Sequence, residues 1–135
     1  MNTGLKLAFI RGAVAVGGSF YLLTGIALLF APQWFFDNVG TFPPFNRHYA
    51  GDLGSYLLPL GIVLLLAVRH PAQHRSLIGF AAAGTFVHAL NHVYEDIQLG
   101  SAFPVWFAAT IPLLVYGLVL AAAYVIMKPT LLAKR

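Results

Sequence analysis

Four long hydrophobic runs constrain the fold of this chain more than any other feature. They cover roughly residues 12–31, 49–68, 76–94 and 102–127. A helix needs about 20 predominantly apolar residues to cross a bilayer, and each run has about this length. Charged residues make up only 9% of the chain, which is too little polar surface for a water-soluble domain. The sequence therefore predicts an integral membrane protein.

The number of runs predicts the architecture. The chain has 135 residues, which is the length of one domain. Consecutive spans cross the bilayer in alternating directions, so we expect an all-α, up-down four-helix bundle surrounded by lipid. Pro112 lies within the fourth run and predicts a kink there, because proline removes one backbone hydrogen bond of a helix.

The distribution of basic residues predicts the orientation of the bundle. Seven of the eight Lys and Arg residues fall at the two ends of the chain or between the second and third runs. All three segments lie on one side of a four-span bundle, and only Arg47 falls on the other. Because basic loops stay in the cytoplasm, we expect both termini to be cytoplasmic and the protein to lie in the plasma (inner) membrane.

Two polar motifs stand at the outer ends of the second and third runs. The first contains His48 and Asp52, and the second contains His88 and His92. Each pair is spaced i, i+4, which places both side chains on one face of a helix. With about 100° per residue, both faces also carry small residues, which suit a bundle interior. We therefore expect the two motifs to face inward and to meet.

The residue types in these motifs predict a metal site. Imidazole and carboxylate groups on one helix face can bind the same ion, and three histidines with one aspartate suit Zn²⁺, Fe²⁺, Mn²⁺ or Cu²⁺. The predicted ligands are His48, Asp52, His88 and His92, with Glu95 as an additional one. The function predicted from them is metal binding, in support of redox or hydrolytic chemistry. Haem held between two histidines is a variant of the same prediction.

A second functional prediction needs no metal. Asp52, His88 and His92 can act as general acid and base on a lipophilic small molecule that enters from the outer leaflet. The chain contains no cysteine, so thiolate ligands, cysteine nucleophiles and disulfides are excluded. It also lacks a basic helical face outside the spans, and we therefore expect no nucleic-acid partner.

A structural role is the third possibility. In this case Asn46 caps the second helix, Asp52 pairs with a histidine or Arg47, and Glu95 and Asp96 are solvated. The protein would then be an accessory subunit of a larger membrane complex or a homo-oligomer. Exposed stripes of small residues left after the bundle has packed would favour this role.

Both motifs also carry a family resemblance. The segment Asn46-Arg47-His48-Tyr49, followed by Asp52-Leu53-Gly54, and the series His88, His92, Asp96 resemble the small four-span bacterial membrane proteins of the DoxX-like kind. The resemblance implies a four-helix membrane bundle, and it implies no particular reaction.

Overall fold

The computed structural model describes residues 3–40 and 43–127, and these residues form helices without any strand. The helices are α1 (Thr3–Phe30), α2 (Pro32–Asn38), α3 (Arg47–Ala67), α4 (Arg75–Leu99) and α5 (Phe103–Ile126). The helix α5 begins with one α-helical turn, continues as a π-helix over Trp106–Thr110 and ends as an α-helix over Ile111–Ile126.

Three of the helices in the described residues are long and apolar enough to cross a membrane. They are α1, α3 and α5. The helix α4 falls outside this group, since its last three turns carry the polar series from His88 to Asp96. The all-helical prediction is confirmed, whereas the fourth span, the up-down bundle and the orientation of the termini stay predictions.

The chain divides into two compact units. One comprises Val14–Val68 and is called here the α1–α3 unit; the other comprises residues 3–13 and 69–127 of the described chain and is called the α4–α5 unit.

Asn46 caps the beginning of α3. Its side chain accepts hydrogen bonds from the backbone N–H groups of His48 and Tyr49 at 3.0 and 3.2 Å. The predicted cap is therefore confirmed, and it starts α3 at the polar motif.

Glycines bring α1 and α3 into backbone contact within the α1–α3 unit. A Cβ atom added to Gly25 would lie 2.5 Å from the amide nitrogen of Leu58. One added to Gly61 would overlap the backbone of Leu22. Each helix thus offers glycine where the other offers main chain, which is how small residues allow close helix packing in membranes.

This packing shows that the predicted orientation of α3 was wrong. The buried positions of α3 include Gly54 and Gly61, and Asp52 lies about 160° around the helix from Gly54 at 100° per residue. The side chains of His48 and Asp52 are 79% and 59% exposed. The glycine face packs against α1 because only glycine permits this close approach, and the polar face lies on the other side of α3.

The α4–α5 unit is held by a small-to-large fit. Gly79 of α4 lies under the ring of Tyr124, since an added Cβ would come within 2.7 Å of the ring. Gly117 of α5 lies under the ring of Phe86 in the same way, at 3.2 Å. The alternation places each large side chain over a gap in the opposite helix, and it lets the two helices pack along their length.

Arg75 fastens the beginning of α4 to the end of α5. Its Nε donates to the backbone carbonyl of Met127 at 2.7 Å, and its guanidinium carbon lies 3.7 Å from the centre of the Tyr124 ring. The last carbonyls of a helix lack partners and carry partial negative charge, so an arginine is favoured there. Arg11 similarly donates to the backbone carbonyl of Arg69 at 3.1 Å. Arg11 of α1 is thus bonded to the turn that precedes α4.

Candidate functional site

His88 and His92 of α4 form a close pair of ionisable side chains. Their Nε2 atoms lie 3.1 Å apart, and their ring centres lie 4.9 Å apart. The i, i+4 spacing places both rings on one face of α4, where their planes are tilted by 46° and the two Nε2 atoms are the ones in contact. In this arrangement one imidazole donates a hydrogen bond to the other, or both nitrogens bind one ion.

The pair lies at the edge of the buried face of α4 and not at its centre. His88 is exposed and His92 is half-buried. The buried face instead carries Ala89 and Asp96, and Asp96 lies eight residues after His88, about 80° around the helix. The prediction that His88 marks the inward direction was therefore wrong by about that angle. The face of Asp96 is the buried one because its carboxylate accepts a hydrogen bond from Thr110 of α5.

Asp96 is the buried carboxylate of this region. It is 2% exposed, and its Oδ2 accepts a hydrogen bond of 2.6 Å from the hydroxyl of Thr110, which is fully buried. The hypothesis that Asp96 is solvated was therefore wrong. A buried carboxylate needs a hydrogen-bond donor, and the hydroxyl on the neighbouring helix supplies it. Asp96 and Thr110 thus join α4 to α5.

The turn after Asp96 has a fixed backbone. Gly100 adopts the left-handed conformation, with φ of 62° and ψ of 38°. The N–H of Ser101 donates to the carbonyl of Asp96 at 2.9 Å, and that of Gly100 donates to Ile97 at 3.3 Å. Together these bonds form a Schellman motif, which ends the helix with its last carbonyls satisfied. The indole of Trp106 donates to the carbonyl of Ser101 at 3.2 Å. The turn is therefore hydrogen-bonded both to the end of α4 and to the beginning of α5.

A π-helical turn places Thr110 opposite Asp96. It spans Trp106–Thr110 and ends two residues before Pro112. Proline has no N–H and its ring crowds the carbonyl four residues earlier, which favours a change of hydrogen-bond pattern in the turn before it. The π-turn lies where Pro112 predicts a kink, and the kink itself stays a prediction. π-Turns inside α-helices are frequently located at functional sites.

The other predicted pair lies on α3. The Nε2 of His48 and the Oδ2 of Asp52 are 3.4 Å apart, and the hydroxyl of Ser55 donates to the backbone carbonyl of Asp52 at 2.7 Å. The predicted partnership of Asp52 with a histidine is confirmed. Because both side chains are largely exposed, the pair adds little stability.

No group of three or more His, Asp or Glu side chains in residues 3–40 and 43–127 is arranged to hold a metal ion. Glu95 is half-buried and lies close enough to His88 to interact with it electrostatically. It does not form a three-ligand group with His88 and His92, and its role as an additional ligand stays a prediction. The four-ligand set His48, Asp52, His88 and His92 and the catalytic roles of Asp52, His88 and His92 stay predictions.

The comparisons with known proteins add no assignment. A scan against protein-family models, a search of curated proteins and a search of solved structures each find no match. The DoxX-like resemblance therefore stays a prediction, and the function must be argued from the side chains themselves.

The pair of Asp96 and Thr110 is the feature that sequence reasoning missed. A signal for it was present, because Asp96 falls on the same helical face as Ala81, Thr85 and Ala89. Thr110 is the polar residue just before Pro112, and polar residues beside a helix distortion commonly satisfy freed backbone or side-chain groups. Comparing small-residue faces across α4 and α5 would have placed the two opposite one another.

Proposed function

We propose that this chain is a multi-pass membrane protein that binds a divalent transition metal through the imidazoles of His88 and His92. The observation that carries the proposal is the distance of 3.1 Å between the two Nε2 atoms. Zinc-bound imidazole nitrogens lie about 2.0–2.1 Å from the metal, so two of them at a tetrahedral angle are about 3.3–3.4 Å apart. The observed pair needs to open by only a few tenths of an ångström to bind an ion between its nitrogens.

The second observation is the position of the pair. The metal would be bound beside the small-residue face of α4, within two turns of the buried Asp96 and next to Glu95. Carboxylates near a metal offset its charge and orient its imidazole ligands. His48 and Asp52 form an independent candidate pair on α3. Zn²⁺, Fe²⁺, Mn²⁺ and Cu²⁺ all accept imidazole, and haem is the variant with two axial histidines.

The membrane topology is part of the proposal. We take α4 as the fourth span because it packs along α5, which is itself long and apolar enough to cross a membrane. Arg69 lies in the turn between α3 and α4, Arg75 begins α4, and Arg11 donates to the backbone carbonyl of Arg69. By the positive-inside rule we put this turn in the cytoplasm together with both termini.

Metal content measured on purified protein tests the function. We expect stoichiometric Zn²⁺ in the wild type after its affinity tag has been removed, and loss of it in the double variant His88→Ala/His92→Ala. The matched control is His70→Ala/His74→Ala, which removes two histidines at the same spacing. Those two lie in the turn before α4, so they do not share a helix face. Equal metal content in the two double variants would overturn the proposal.

Single cysteines test the topology, since the chain has none of its own. We expect Ser101→Cys in intact cells to react with a membrane-impermeant maleimide and Gln73→Cys to be protected. Equal labelling of both residues, or labelling of Gln73→Cys alone, would contradict the proposed orientation.

A further inference from the structure

The ligand set offered by one chain is too small for the proposed metal. His88 and His92 supply two imidazoles, and the described residues contain no group of three or more metal-binding side chains. Structural zinc sites use four protein ligands and catalytic ones use three. The missing ligands must therefore come from beyond this pair.

The surface of α4 next to the pair carries a glycine and exposed polar side chains, so a second helix could approach it closely. Gly84 lies one turn before His88 on α4, and a Cβ atom added to it would meet nothing within 4 Å. Asn91 and His88 are exposed on the same side of the helix. Small residues on a membrane helix permit another helix to come near enough for side chains to meet.

We infer that a second copy of this chain covers this surface and completes the site, so that one metal ion is held by His88 and His92 of both copies. The inference rests on the proposed function, because it identifies the partner of the same site. A two-fold axis along the membrane normal brings identical residues of the two copies to the same depth. The four imidazoles then match the four positions of a tetrahedral zinc ion.

Glu95 supplies the charge that such a site needs. Four neutral imidazoles leave the two positive charges of the ion uncompensated, and this is costly in a membrane. One carboxylate from each copy, half-buried and within electrostatic range of His88, would balance them. Each Glu95 thus acts beside the ligands and lowers the cost of holding the ion.

Metal stoichiometry and molecular mass together test this inference. With Zn²⁺ alone as the added metal, purified protein in detergent is expected to bind one ion per two chains and to be a dimer. Addition of a chelator should convert it to a monomer. One ion per chain in a monomer would overturn the shared site and leave the proposed function intact. Absence of bound metal in the wild type would overturn both.

A cross-linking experiment locates the contact independently of metal content. Gly84→Cys is expected to form covalent dimers with a short thiol-specific cross-linker when Zn²⁺ is present. The control is Gly51→Cys on α3, where an added Cβ likewise meets nothing within 4 Å. Equal cross-linking at both positions, or a Gly84→Cys product that does not depend on Zn²⁺, would contradict a metal-bridged contact through α4.

Discussion

The hydroxyl of Thr110 donates a 2.6 Å hydrogen bond to the carboxylate of Asp96, and both residues are buried. This bond joins the last turn of α4 to the π-turn of α5. Buried polar groups are costly unless they are hydrogen-bonded, and each of these two residues supplies the partner of the other. The bond fixes the end of α4 beside the candidate metal site.

Thr110→Val tests the strength of this bond. Valine keeps the shape of threonine but removes the donor, and it leaves a buried carboxylate oxygen without its partner. We expect the free energy of unfolding to fall by about 1–3 kcal/mol, measured by denaturant titration in detergent micelles.

Thr85→Val is the matched control, because Thr85 is equally buried and donates at 2.7 Å to the carbonyl of Ala81 within its own helix. Its removal leaves a carbonyl that the helix itself still satisfies. A loss of stability in Thr85→Val as large as that in Thr110→Val would show that the bond to Asp96 contributes no more to the free energy of unfolding than a hydrogen bond within one helix.

Gly61→Ala tests the backbone contact between α1 and α3. The added methyl group would overlap the backbone of Leu22, which cannot move as freely as a side chain. We expect a destabilisation of about 1–3 kcal/mol from overpacking. Thermal unfolding followed by far-UV circular dichroism measures it.

Gly51→Ala is the control for that change, since its methyl group would enter open space. Alanine is favoured over glycine in a helix by about 1 kcal/mol, so this variant should be neutral or slightly more stable. If the two alanine variants unfold at the same temperature, the close approach of α1 and α3 is not required for stability.

Arg75→Lys tests the fastening at the other end of α4. Lysine keeps the charge, but it cannot both stack flat on the ring of Tyr124 and donate from a fixed Nε to the carbonyl of Met127. We expect a loss of about 1–2 kcal/mol from these two contacts, measured by denaturant titration. The control is Arg69→Lys, which should change stability little, because Arg69 is exposed and its contact with Arg11 is made by its backbone carbonyl. A loss of stability in Arg69→Lys larger than that in Arg75→Lys would contradict the role given to Arg75.

Metal binding predicts a stability increase that depends on the histidine pair. A ligand at 100 times its dissociation constant stabilises the folded state by about 2.7 kcal/mol. We expect Zn²⁺ to raise the unfolding midpoint of the wild type and of His48→Ala, and to leave that of His88→Ala/His92→Ala unchanged. A Zn²⁺ effect lost in His48→Ala would instead place the pair of α3 at the metal.

The local features were the ones that the sequence could predict. The helices follow from hydrophobic runs, and the cap at Asn46 depends on residues within three positions of it.

The rotation of the helices could not be predicted in the same way. On α3 both the glycine face and the face of Asp52 were candidates for burial, and only the partner helix decides between them. On α4 the choice between His88 and Asp96 depends on the hydroxyl of Thr110, whose direction is set by the π-turn. A one-residue change in hydrogen-bond pattern turns a side chain by about 100°, and a sequence pattern does not reveal it.

The α4–α5 pair is therefore fastened at both of its ends, by Arg75 and by Asp96, and each fastening leaves from the same helix. Two helices that are in contact at only one end can separate at the other end. Two helices that are bonded at both ends can separate only after one set of bonds has broken. Without the Asp96 bond, the contacts of Arg75 would still hold the two helices together at its end. The helices would then separate only near the turn around Gly100. Hydrogen exchange in Thr110→Val should accordingly rise at that turn and stay slow beside Arg75; a uniform rise along α4 would show that the two ends do not act separately.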